Sequence, residues 1–170
     1  ADRGRAHSET LLDKGIARRK VTPEKKAEVL ARITATTDYA ALAGCDLIIE
    51  AVFEDIAIKA ETTRKAEVVI PVSTVYASNT STLPITKLAE ASARPDQFIG
   101  LHFFSPVDRM GLVEIIKGEK TSPATLAVAM DFVAKLRKTP IVVNDSRGFY
   151  TSRVFQTPPG ISDSSNYPIA

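Results

Sequence analysis

Tryptophan is absent from the 170 residues, cysteine occurs once, histidine and methionine twice each, and aromatic side chains make up 6% of the chain. One cysteine cannot close an intramolecular disulfide, so no disulfide framework holds this fold, and a reducing, cytoplasmic setting fits. Cys45 itself lies in an apolar stretch and reads as a small buried hydrophobe rather than a reactive thiol. A strong charge of either sign is also missing: 22 Lys and Arg stand against 20 Asp and Glu, a net +2. Apart from Arg18, Arg19 and Lys20 the basic residues are dispersed, so the clustered footprint of a nucleic-acid binder is lacking. No apolar run reaches the roughly 18 residues of a membrane span, and the charged first residues do not form a signal peptide. A soluble protein is expected, with no nucleic-acid partner, no membrane span and no metal site.

What is present is a chain of 44% hydrophobic and 25% charged residues, the composition of an ordinary globular domain with its own core. From Ser8 to Ile33 helix formers dominate, and two helices are predicted. They are separated at Val21-Thr22-Pro23-Glu24, where Thr22 can cap and Pro23 can occupy the first helical position. The second runs to about Arg32. A helical turn over Asp38 to Ala43 closes at Gly44, and the compact apolar run Leu47 to Val52 predicts a buried parallel strand. Alternation follows: helix from about Ile56 to Val69, strand Thr74 to Ala77, helix Pro84 to Ser92, strand Phe98 to Phe104. Then come strand Leu112 to Lys117, a helix from Pro123 to Arg137 opened by Ser122, and strand Pro140 to Val143. Such alternation with short connections implies a doubly wound α/β domain, a mostly parallel sheet with helices on its faces.

Three stretches could carry chemistry. In Gly100-Leu101-His102-Phe103-Phe104-Ser105-Pro106-Val107 a titratable ring sits near the end of an apolar strand, where open α/β sheets bind ligands. His7, in contrast, lies in a polar helix start. Glu114 interrupts the apolar Leu112-Val113-Glu114-Ile115-Ile116, and a buried carboxylate there needs a partner. His102 is a candidate, since a histidine acid or base works best when a carboxylate orients its ring; a core or surface histidine is the plainer alternative. Ala77-Ser78-Asn79-Thr80-Ser81-Thr82-Leu83-Pro84 reads equally as helix capping or as a polar loop presented to a ligand. In Glu50-Ala51-Val52-Phe53-Glu54-Asp55, with Lys59 a turn later, the acids can simply complement a helix dipole.

Taken together and in this order, the stretches Glu50 to Glu54, Ser78-Asn79-Thr80-Ser81, Gly100 to Val107 and Leu112-Val113-Glu114 resemble the 3-hydroxyacyl-CoA dehydrogenase family. The likeness runs from about Gly4 to Phe155, and its wording is nearest the dehydrogenase region of bacterial multifunctional fatty-acid oxidation enzymes. The resemblance implies NAD as cofactor and oxidation of the 3-hydroxyl of an (S)-3-hydroxyacyl-CoA in fatty-acid β-oxidation. It implies catalytic acid/base duty for His102, orientation by Glu114 and a substrate hydrogen bond from Ser81. It also implies a cofactor pocket of Val52, Phe53, Glu54, Lys59, Asn79, Ser81 and Ser105, and substrate contacts at Ser8, Ser81 and Ser152. The parent is expected to be a homo-oligomer or part of a multifunctional complex.

The departures from that family shape the remaining expectations. The family opens with a strand, a Gly-x-Gly-x-x-Gly turn that presents pyrophosphate to a helix N-terminus, and a second strand. None lies within these residues, so a partial Rossmann-like sheet lacking its first βαβ unit is expected, with strand Leu47 to Val52 left at an open edge. Ser105 and Ser152 stand where many members have asparagine. The expected division is a truncated NAD-binding domain over 1–145, the start of a helical second domain over 146–156, and a disordered or aberrant tail over 157–170. On this reading the isolated chain is inactive, and the alternative function is that of a non-catalytic remnant binding at most part of the acyl-CoA or cofactor. Another Rossmann dehydrogenase, of 6-phosphogluconate type, would use a catalytic lysine and lack the His-Phe-Phe with a downstream glutamate.

Overall fold

The computed structural model of the chain describes residues 1–156, without the side chains of Ser152, Phe155 and Gln156. The expected tail over 157–170 lies outside the described residues, as does the Ser152 side chain. The chain divides into two compact units, residues 1–43 and Gly44 onward.

The first unit is a helical hairpin, α1 (Asp2–Ala17) and α2 (Pro23–Ala31), followed by a 3₁₀ turn at Tyr39–Leu42. α1 begins at Asp2, earlier than the apolar pattern from Ser8 indicates. Thr22 caps α2 by accepting the Lys25 N–H at 3.2 Å, with Pro23 in the first turn. Lys26 ties the two helices, 2.6 Å from Asp13 and 3.1 Å from Glu9.

The second unit is the α/β domain. Its elements are β1 (Leu47–Glu50), α3 (Ile56–Glu67), β2 (Val75–Ser78), α4 (Ile85–Ala89), β3 (Phe98–Phe103), β4 (Leu112–Lys117), α5 (Pro123–Lys135), β5 (Thr139–Asn144) and α6 (Phe149–Gln156). The five strands lie in the order β1-β2-β3-β4-β5, and three of the four pairings are parallel; β3 and β4, joined by a short connection, run antiparallel. β1 is one edge of this sheet. Asp55 and Ser122 cap α3 and α5 by accepting the N–H groups of Ile58 and Thr125. β1 stops two residues before the apolar run does, because the Glu50 carboxylate takes the Val52 N–H at 2.7 Å and turns the chain out of the ladder.

Side chains alternate across each strand, so every strand has a residue set for each face of the sheet. On one face Val75, Ala77, Ile99, Leu101, Val113 and Ile115 pack with Ala129 and Val133 of α5. The opposite face carries Tyr76 stacked on Phe98 at 5.3 Å, then Gly100 and His102 of β3 and Glu114 and Ile116 of β4. α4 covers Gly100 so closely that a Cβ there would lie 2.7 Å from Ile85 Cδ1. The face opposite α5 is therefore the one that carries ionisable side chains in an otherwise apolar sheet.

Candidate active site

The parallel strands β1, β2 and β3 deliver three loops to one end of the sheet. Glu50 and Ser78 are register partners, as are Ser78 and Gly100, and β3 extends three residues further to Phe103. Residues 52–54, 79–82 and 102–105 thus emerge at the carboxyl ends of neighbouring strands, the position at which open α/β sheets bind ligands.

His102 and Glu114 are directly opposed in the antiparallel pair of β3 and β4, and cross-strand partners project from the same face. His102 Nδ1 lies 2.7 Å from Glu114 Oε2, with side-chain exposures of 9% and 0%. Among the described residues the glutamate's other donors come from one residue: the Thr151 N–H donates to Oε1 at 2.8 Å and its hydroxyl donates to Oε2 at 2.9 Å. A carboxylate accepting two hydrogens from Thr151 takes a third from the imidazole, which assigns the ring proton to Nδ1 and leaves the Nε2 lone pair as the group able to take up a proton. Phe104 and Phe149 flank the ring, with centroids 4.5 and 6.1 Å away, and supply an apolar wall.

The polar loop after β2 is held at both ends. Asn79 donates its N–H to the Glu50 carbonyl at 2.7 Å, and its Oδ1 accepts the Phe103 N–H at 2.9 Å, tying the loop to the residue after His102. Glu54 Oε1 accepts from the Thr80 hydroxyl at 2.5 Å, the Ser81 N–H at 2.8 Å and the Thr82 N–H at 3.0 Å. Partial burial pushes the Glu54 carboxyl up, but the bonds from Thr80, Ser81 and Thr82 together with the Lys59 ammonium outweigh it and hold it below its usual range. From the far side, Asp145 accepts the N–H groups of Ile85 and Thr86 at 2.9 and 2.7 Å, doing for α4 what Pro84 at its N-cap cannot.

Beneath the loops runs a buried ion-pair network. Lys59 Nζ lies 2.9 Å from Glu50 Oε1 and 3.4 Å from Glu54 Oε2, with the lysine side chain 1% exposed. The Ser78 hydroxyl donates to Glu50 Oε2 at 2.8 Å. Lys59 is thus committed to the protein interior.

The structure therefore gathers His102, Glu114, Asn79, Ser81, Ser105, Val52, Phe53 and Glu54 at one end of the sheet, with Lys59 underneath. Ser81, Ser105 and Phe53 are exposed there, Phe53 at 82%. Ser8 lies on α1 in the first unit, and Ser152 falls in α6. Sequence reasoning gave no part to Thr151 or Asp145. Their partners are 37 and 60 residues away, a separation at which a short hydroxyl or carboxylate side chain leaves no local signal.

The family described as "3-hydroxyacyl-CoA dehydrogenase, NAD binding domain" matches residues 1–146. A fatty acid oxidation complex subunit alpha from Shewanella sp. (strain W3-18-1) is 48% identical over 149 residues, 88% of this chain and 21% of that protein. Among solved structures, (S)-3-hydroxybutyryl-CoA dehydrogenase PaaH1 from Ralstonia eutropha superposes with a TM-score of 0.88 at 40% identity, covering 91% of this chain and 54% of that one. FadB2 from M. tuberculosis superposes at 0.86 and 35% identity, covering 90% and 54%. The chain spans about a fifth of the length of the Shewanella relative.

Proposed function

Since this chain belongs to the 3-hydroxyacyl-CoA dehydrogenase family through its NAD-binding domain, we propose that the protein carrying it oxidises the 3-hydroxyl of an (S)-3-hydroxyacyl-CoA to a ketone in fatty-acid β-oxidation. The observation that carries this reading is the buried His102–Glu114 pair, 2.7 Å apart at the carboxyl end of the sheet.

His102 Nε2 takes the proton of the 3-hydroxyl while Glu114, on Nδ1, steadies the positive charge that develops on the ring. Phe104 and Phe149 keep water from the imidazole and strengthen that electrostatic support. Ser81 offers its hydroxyl to the reacting substrate oxygen, and the Glu54 clamp on the neighbouring amides fixes where that hydroxyl stands. NAD, when bound, would supply the acceptor for the hydride of C3. The residues present fit its nicotinamide end: apolar Val52 and Phe53 are exposed beside a loop of hydroxyls and an amide. With Glu54, Asn79 and Ser105 they would line that half of the pocket, and Lys59 would support it through Glu50 and Glu54. No Gly-x-Gly-x-x-Gly turn occurs in the 170 residues, so the pyrophosphate grip is not among them. The same proposal takes Ser8 and Ser152 as acyl-CoA contacts, reads the residues after Asp145 as the beginning of the next domain, and sets the protein in a cytoplasmic homo-oligomer or multifunctional oxidation complex.

The test is His102→Ala in the full-length protein. Turnover is expected to fall roughly 10²–10⁴-fold with NAD affinity retained, the range typical of a lost general acid–base group. A loss under about tenfold would overturn the assignment.

A further inference from the structure

We propose that Thr151 is a positioning residue for the catalytic pair, acting through Glu114 to hold His102 in the orientation that accepts the substrate proton. The inference rests on the dehydrogenase reading above.

Glu114 is fully buried on β4, and among the described residues its carboxylate has two partners, His102 and Thr151. Thr151 donates to both oxygens, the N–H to Oε1 at 2.8 Å and the hydroxyl to Oε2 at 2.9 Å. Two donors from one residue fix the plane of a carboxylate that a single bond would leave free to turn about its last torsion. The oxygen that takes the Thr151 hydroxyl is also the oxygen on His102 Nδ1, so rotation of the carboxylate moves the imidazole.

The location of Thr151 gives that hold its rigidity. It is the third residue of α6 (Phe149–Gln156), and an N–H in the first turn of a helix has no partner within the helix. Gly148 precedes the helix with φ 76° and has no side chain to serve as cap. Glu114 fills that vacancy from another strand, 37 residues away in sequence. The carboxylate thus sits at the positive end of the helix dipole, where negative charge is favoured. Phe149, 1% exposed in the same turn, packs within 6.1 Å of the His102 ring. The α6 start therefore contributes both the donors that set Glu114 and part of the wall around His102, and it couples the segment after β5 to the chemistry on β3.

The experiment compares Thr151→Val, Thr151→Ser and Thr151→Ala in the full-length protein, each also in a Glu114→Gln background, by steady-state kinetics with an acyl-CoA substrate and by thermal unfolding. Loss of a hydrogen bond to a charged acceptor corresponds to roughly a tenfold effect, so Thr151→Val is expected to lower kcat about tenfold with KM within about twofold. Thr151→Ser, which keeps the hydroxyl, is expected to retain at least half of kcat. In the Glu114→Gln background the valine variant should add no further loss. If the valine variant fails to fold, the contrast between alanine and serine carries the same comparison. Unchanged kcat in Thr151→Val, an equal loss in Thr151→Ser, a loss confined to KM, or a full additional loss on top of Glu114→Gln would each overturn the proposal. A fully active Glu114→Gln or His102→Ala protein would instead overturn the dehydrogenase reading, so the two failures are distinguishable.

Discussion

Glu54 Oε1 lies 2.8 Å from the Ser81 amide nitrogen, 27 residues further along the chain, and the same oxygen accepts the Thr82 N–H and the Thr80 hydroxyl. One carboxylate oxygen therefore stands in for the backbone partners that the loop after β2 cannot find in the sheet. Glu54→Ala should free these donors to water. Amide hydrogen exchange at Ser81 and Thr82 is expected to accelerate by about tenfold or more, with global stability lowered by only about 1 kcal/mol, since these two residues are exposed and water replaces the acceptor their amides lose. Unaltered exchange at both amides would show that the loop holds its shape without Glu54.

The same clamp gives the loop a pH dependence. Glu54 is held below its usual range in the folded protein, against the pull of its partial burial, by the loop donors and Lys59. A carboxyl lowered on folding stabilises the fold fully above its unfolded value, about 4.3, and that contribution disappears as pH falls through the lower folded value. Protection of the Ser81 and Thr82 amides, after correction for intrinsic exchange, is thus expected to be flat from neutral pH to about 5 and to decline below the usual carboxyl range. The Glu54→Gln variant should lack that decline. A decline of the same size in the variant would assign it to another group.

Much of the architecture was legible because it is written in local periodicity. β4 (Leu112–Lys117) keeps the bounds that its sequence pattern predicts, and Thr22 and Ser122 cap the helices they precede, with Pro23 in the first turn of α2. His102 and Glu114 were legible because each is an ionisable group inside an apolar strand, and the need for a partner can be read without coordinates. The strand Leu47 to Val52 was read two residues long because its last turn is decided by the Glu50 carboxylate rather than by propensity. Thr151 and Asp145 were illegible for a related reason. Their effect is a hydrogen bond to an element 37 or 60 residues distant, and nothing in a threonine or an aspartate declares which amide or carboxylate it will meet. The family resemblance implies a place by the cofactor for Lys59; the structure adds that its side chain is 1% exposed and its ammonium engaged by Glu50.

That burial sets the third prediction. Removing one member of a buried ion pair leaves the other charge uncompensated and typically costs about 3–5 kcal/mol. Lys59→Met is expected to destabilise the domain by that amount in chemical denaturation. Lys59→Met combined with Glu50→Gln should cost clearly less than the sum of the single variants, because the stranded charge is removed as well. Additive losses would mean that Glu50 draws its compensation from Ser78 and the Val52 amide rather than from the lysine.

Gly100 is the point at which α4 meets the sheet, and the final prediction concerns its missing Cβ. A methyl group there would lie 2.7 and 2.8 Å from Ile85 Cδ1 and Cγ1 and 2.9 Å from Ile116 Cβ, all inside van der Waals contact. Ile85 is fully buried and Asp145 holds its amide at 2.9 Å, so neither the side chain nor the helix start can retreat freely. Gly100→Ala is therefore expected to destabilise the domain by about 1–3 kcal/mol, the usual penalty for overpacking. It should do so despite the small stabilisation that replacing a glycine brings by lowering the entropy of the unfolded chain. Shortening the neighbour relieves one of the three contacts: Gly100→Ala combined with Ile85→Val removes Cδ1 while those to Cγ1 and Ile116 Cβ remain, so the pair should be somewhat more stable than the sum of the two single variants. Because Gly100 shares a face with His102 two residues away, the kinetics of the full-length protein provide a second reading. A displacement of β3 large enough to move the imidazole would lower kcat in Gly100→Ala, and the Ile85→Val background should restore part of it. Stability equal to that of the parent in Gly100→Ala would mean that α4 shifts away at no measurable cost, and that its tight seat on β3 is not what holds the two elements together.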